Sequence, residues 1–161
     1  MHAGMSASQI CGMDLSSEMI KNAQAFYPNV RFQVNNFLEL PEKEDDEKFN
    51  AIVFCSSLHD LPDMRQALEK ARSLLTNDGR LVIVHPQGAS HVAQQHKSNP
   101  VLVPRGLPTA VELEEWLCVE DDDDNSRQME LIVAPAEAKS QQEIKEGYLA
   151  VLTAKSRNDD A

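Results

Sequence analysis

Asp63–Leu75 carries apolar residues at Met64, Ala67, Leu68, Ala71, Leu74 and Leu75. Steps of three and four lay such residues along one face of a helix. Two runs of another kind flank it: Ala51–Cys55 (AIVFC) and Arg80–Val84 (RLVIV). Both are too short for a buried helix, and a nearly unbroken apolar run of that length reads as a strand covered on both faces. Strand, amphipathic helix and strand in that order make a parallel crossover. Asn77-Asp78-Gly79 stops the helix, with Gly79 expected to take positive φ, and Pro86 closes the second strand. The chain is an α/β protein.

The same alternation extends upstream. Gln9–Asp14 (QICGMD) and Val30–Val34 (VRFQV) read as strands. Ser16–Tyr27 lies between them as a helix, with Met19, Ile20, Ala23, Phe26 and Tyr27 facing a sheet. Ser16 is its expected N-cap, Glu18 suits its positive end, and Pro28 ends it. These four strands are expected to lie parallel in one sheet. Pro41–Lys48 is a charged loop, and His85–Pro108 reads as an irregular lid or insertion. Thr109–Leu117 opens with a capping box, Thr109 and Glu112, and turns Leu113, Trp116 and Leu117 inward. Met129–Ala134 and Tyr148–Ala154 are further strands, separated by the polar segment Pro135–Gly147. Glu120–Asp124 is a self-repelling solvated run, and Asn158–Ala161 is expected to fray.

At 161 residues the chain has the length of a single domain. Its 42% hydrophobic and 25% charged residues exclude wholesale disorder, and no apolar run approaches a membrane span. Fifteen basic against 26 acidic residues give a net charge of −11, which disfavours nucleic acid as a partner. Cys11, Cys55 and Cys118, scattered and odd in number, fit buried thiols in a reducing compartment rather than disulfides or a zinc site. No secretory signal is visible at the start, so the expected location is cytoplasmic, with no membrane partner.

In a parallel α/β sheet, ligands bind beyond the carboxyl ends of the strands. Three groups fall there. Asp14 could accept ribose hydroxyls, or only cap the next helix. Asn35-Asn36-Phe37 could meet a base edge, or only form a turn. Cys55-Ser56-Ser57-Leu58-His59-Asp60 has small residues that let a ligand approach. Ser56, His59 and Asp60 hint at a nucleophile triad, but the chain has no G-x-S-x-G to support hydrolysis. His85, His91 and His96 lack the spacing of a helical metal pair and read as loop histidines, so no metal is expected.

The order of these segments resembles the class I S-adenosylmethionine-dependent methyltransferases. Ile10-Cys11-Gly12-Met13-Asp14-Leu15-Ser16, with Met19, Ile20 and Ala23, is similar to that family's second strand and following helix. VRFQVNNFLELP (Val30–Pro41) is similar to its third strand and adenine-binding turn, with Asn36 in place of the usual acid. Phe49–Val53 resembles the fourth strand, with Asn50 where Asp is commoner, and Leu58–Asp63 with Ala67–Ile83 resembles the next helix and the fifth strand. Tyr148–Lys155 is similar to the last strand. The resemblance implies a Rossmann-like sheet, mostly parallel with an antiparallel last strand. It also implies S-adenosylmethionine as cofactor and a small-molecule methyl acceptor. Asp14 would hold the ribose, and Asn36 and Phe37 the adenine. Ser56 and Ser57 would line the reaction end, with His59 as candidate base.

The family opens with a strand and a G-x-G-x-G loop, and only Met1–Ser8 precedes Gln9 here. The sequence therefore reads as a single domain, residues 1–161, incomplete at its N-terminus. In the family that first strand lies between the second and the fourth. Without it, two inner edges face a gap, and they invite strand pairing between chains. The expectation is that this chain alone binds S-adenosylmethionine weakly or not at all. A nicotinamide-dependent oxidoreductase and a non-catalytic binding or regulatory remnant stand as alternatives.

Overall fold

The computed structural model describes residues 4–118, 128–135 and 147–154. Glu120–Asp124, the polar segment within Pro135–Gly147 and Asn158–Ala161 belong to residues 119–127, 136–146 and 155–161, outside the described residues. The chain divides into two compact units, Met1–Pro41 and Glu42–Ala161.

In the first unit, β1 (Cys11–Asp14) and β2 (Arg31–Val34) pair in parallel, with α1 (Ser17–Phe26) between them in sequence. Ser16 caps α1 as expected, its hydroxyl accepting from the Met19 N–H at 3.3 Å. Gly12 sits opposite Phe32 in the ladder, and a Cβ on it would lie 2.5 Å from the phenyl ring. The helix stripe is less covered than its periodicity predicts: no residue of α1 is buried, and Phe26 is 79% exposed.

The second unit contains the expected crossover. β3 (Phe49–Cys55) leads through α2 (Met64–Leu74) to β4 (Leu75–His85), which pairs with β3 in parallel. α2 begins one residue after Asp63, whose carboxylate accepts from the Gln66 N–H at 2.9 Å. Its residues Ala67, Leu68, Ala71 and Leu74 are fully buried. α3 (Gly88–Ser98), α4 (Ala110–Leu117), β5 (Met129–Val133) and β6 (Tyr148–Ala154) follow. β6 runs antiparallel to β4 and to β5, so the sheet order is β3-β4-β6-β5. The fold is α/β and Rossmann-like, with the antiparallel last strand that the sequence implied.

Several expectations need correction. The strands expected in one sheet form two hydrogen-bonded ladders, because no described strand bonds to both β1 and β3. β3 and β4 are not covered on both faces. Phe54, Leu81 and Ile83 are buried on one face, whereas Val53 on the other is 56% exposed. Cys11 and Cys55 are exposed free thiols rather than buried ones. The supposed lid contains α3, a helix that hides because Val92 is its one large buried side chain and leaves no apolar stripe to read. Trp116 is half-buried beneath the Arg105 guanidinium, while Leu113 and Leu117 fill the core as expected.

Gly79 serves a purpose other than the expected turn. The β3–β4 register runs Phe49↔Leu75 and then Ala51↔Arg80, so β4 accommodates extra residues as a bulge. Positive φ among the described residues belongs to Gly4, Ser56 and Gly88, not Gly79. A Cβ on Gly79 would instead lie 2.9 Å from the Leu75 Cβ and 3.0 Å from the Thr76 carbonyl oxygen. Space, not backbone freedom, requires glycine here. Gly79→Ala is therefore expected to destabilise the chain by about 1–3 kcal/mol, as overpacking does elsewhere. A urea unfolding midpoint unchanged from wild type would contradict this.

Candidate functional site

At the carboxyl end of the first ladder, Asp14 stands opposite Val34, and the Asn35 N–H donates to the Asp14 carbonyl at 3.1 Å. Asp14 and the Asn35-Asn36 turn thus leave the two strands at the same end. Asp14 Oδ1 accepts from the Ser16 N–H at 2.8 Å, so the capping role is real. The side chain is nevertheless exposed, and its other oxygen has no protein partner among the described residues.

Asn36 is committed more fully. Its Oδ1 accepts from the Leu38 N–H at 3.1 Å and its Nδ2 donates to Glu39 at 2.9 Å, which closes the short turn Phe37–Glu39. Its own N–H donates to Asn35 Oδ1 at 2.8 Å. The amide that could have met a base edge is occupied by its own turn. Phe37 begins that turn and is half-buried.

In the second unit, Ser56 follows β3 in the left-handed region at φ 52°, with its N–H donating to the Val84 carbonyl at 2.9 Å. A non-glycine residue there is strained, and such strain concentrates at ligand sites. Ser56 and Ser57 are exposed, and a single helical turn, Leu58–Asp60, comes next. That turn buries His59 to 6% exposure.

His59 is not alone. His85, the last residue of β4, is 3% exposed, and its ring centroid lies 5.0 Å from that of His59 in an edge-to-face arrangement. His91, on α3, adds a third ring 5.9 Å from His85. His59 Nε2 lies 3.4 Å from the Asp60 carboxylate. The Nδ1 atoms of His59 and His85 are both buried without a hydrogen-bond partner. Buried polar atoms nearly always find partners, and an orphan costs about 1–3 kcal/mol.

Reading His85, His91 and His96 as loop residues was therefore wrong. His85 ends a strand, and the other two lie on α3. A period-two signal was available, since Leu81, Ile83 and His85 alternate onto one face, but Pro86 drew the boundary one residue early. His96 is structural, with Nδ1 2.7 Å from the Val103 carbonyl oxygen. Among the described residues, no three His, Cys, Asp or Glu side chains are grouped to hold a metal ion.

Burial holds His85 below its ordinary pKa of 6.5. Positive charge on His59 or His91 pushes the same way, while the Asp60 carboxylate opposes. The unfolded chain then binds a proton near pH 6.5 that the folded chain binds only at lower pH, so stability rises with pH across that window. This contribution is complete above 6.5 and is lost as pH falls through the folded-state value. His85→Gln is expected to flatten the fall in urea midpoint between about pH 7 and 5 relative to wild type. Parallel curves for the two proteins would contradict this.

No curated protein matches the chain in sequence. Among solved structures, the chain is similar to YcgJ from Bacillus subtilis (TM-score 0.59, 17% identity, 91% of this chain and 82% of that one). A putative methyltransferase of Haloferax volcanii, solved with its Trm112 activator, gives a TM-score of 0.61 at 16% identity, covering 90% and 71%. The N-methyltransferase NodS of Bradyrhizobium japonicum, solved with S-adenosyl-L-homocysteine, gives 0.58 at 16%, covering 89% and 65%. At such identities these likenesses establish the fold. The family profile described as a methyltransferase domain matches residues 2–147, nearly the whole chain. The chain therefore belongs to the methyltransferase domain family, within the S-adenosylmethionine-dependent class I fold that the order of its segments resembles.

Proposed function

We propose that this chain transfers a methyl group from S-adenosylmethionine to a small-molecule acceptor. The observation that carries the proposal is the exposed Asp14 carboxylate at the carboxyl end of a parallel ladder, with one oxygen fixed by Ser16 and the other unpaired among the described residues. A carboxylate held in this way can accept from a ribose hydroxyl without reorganising. In this reading Asn36 and Phe37 border the adenine. Ser56 and Ser57 line the reaction end, and His59 is the candidate base.

When bound, the cofactor supplies an electrophilic methyl carbon on a positively charged sulfur. The protein's work is then chiefly to orient the acceptor in line and exclude water, which proximity alone can make worth several kcal/mol. The net charge of −11 supports small acceptors over nucleic acids. The described residues contain no helix long and apolar enough to cross a membrane.

A second reading, a non-catalytic binding or regulatory domain, is favoured by one observation: both ends of the Asn36 amide are already bonded within its own turn. Calorimetry with S-adenosylmethionine separates the two. The expected outcome is weak binding, about millimolar, that Asp14→Ala abolishes. Binding that survives Asp14→Ala would remove Asp14 from the site. Methyl transfer undetectable at saturating cofactor would favour the second reading.

A further inference from the structure

Three imidazoles meet at the carboxyl ends of β3 and β4. His59 comes from the turn after β3, His85 from the end of β4, and His91 from α3. Two of the rings are more than nine-tenths buried, and each has an Nδ1 with no partner. Apolar residues of similar shape would fill the same space without that cost. His59 Nε2 lies 3.4 Å from the Asp60 carboxylate, whose negative charge balances a proton gained by the ring.

We propose that His59, His85 and His91 act as one proton-accepting unit and that the methyl acceptor is accordingly a protic nucleophile, an N–H or O–H group. This rests on the methyl-transfer reading. Methylating such a group forms a heteroatom–carbon bond and breaks the sulfur–carbon bond, whose electron pair goes to sulfur. One proton is left over, and it goes to His59. His85 and His91 are positioning residues that hold His59 in place and limit the cluster to that single charge. A second proton would put two positive charges about 5–6 Å apart in a buried setting, where they repel strongly. Among the described residues, the charged and titratable groups that bear on His85 are Asp60, His59 and His91; Asp60 is negative, and the two imidazoles carry no charge when neutral. Tyr148, its register partner on β6, stays neutral because burial pushes its phenol up, and its hydroxyl donates to the Pro108 carbonyl at 2.8 Å.

Proton NMR titration of the histidine rings in the full chain tests the coupling without cofactor. His59→Gln is expected to move the His85 midpoint upward by about half a pH unit or more, since a competitor for the proton is gone. His91→Gln, at a half-buried position, is expected to move it the same way by less, which keeps the test open should His59→Gln fail to fold. A His85 midpoint unmoved in the folded variants overturns the proposal. Methyl transfer to phenol and benzylamine as probes tests the catalytic part. The rate is expected to fall on the acid side over the pH range in which the cluster titrates, and to lose that dependence in His59→Gln. An acid limb that persists in His59→Gln overturns the proton role. Absence of transfer in wild type counts against the methyl-transfer reading, while the titration still decides the coupling.

Discussion

The second unit depends on one face of β4. Leu81 and Ile83 sit there at 0% and 1% exposure, bonded through the backbone to β3 on one side and β6 on the other. Leu152 and Ala150 continue the face across β6, Phe54 continues it across β3, and all three are buried. Each fully buried leucine or isoleucine contributes about 1.5–3 kcal/mol, so this face and the α2 residues above it hold much of the unit's stability. The same alternation carries His85 inward as the next residue on the face after Ile83. Packing and the proposed proton chemistry share one strand.

That arrangement also explains the cost accepted at the end of β4. A strand that buries every second residue must bury the residue at position 85, and here that residue is an imidazole beside two others. Its orphaned nitrogen weakens the fold, and buried polar groups left unpaired are commoner where a ligand completes them. Ser56, strained at the end of the neighbouring strand and bonded to Val84, lies along the same edge.

Strong periodicity made most of the fold legible. α2 and β6 begin and end within a residue of where the sequence places them, and the Thr109–Glu112 capping box marks the start of α4. The failures share a cause. α3 buries too little to leave a pattern, and Gly79 is demanded by Leu75 and Thr76, which the bulge in β4 folds back against it. At the candidate site, Asp14 and Asn36 were readable from their places after strands. For Asn36 the turn is the alternative that the structure shows, its amide bonded to Leu38 and Glu39, and the sequence alone did not choose between that turn and a base edge.

The central claim is that Asp14, at the carboxyl end of the β1–β2 ladder, holds the ribose of the ligand. Two-dimensional nitrogen–proton NMR of the full chain, titrated with S-adenosylhomocysteine, tests it most directly. The account predicts that the amide signals of Asp14, Ser16, Asn36 and Phe37 shift along one saturation curve, and that Asp14→Ala abolishes these shifts. Shifts that lie away from Asp14, or that persist in Asp14→Ala, would contradict it.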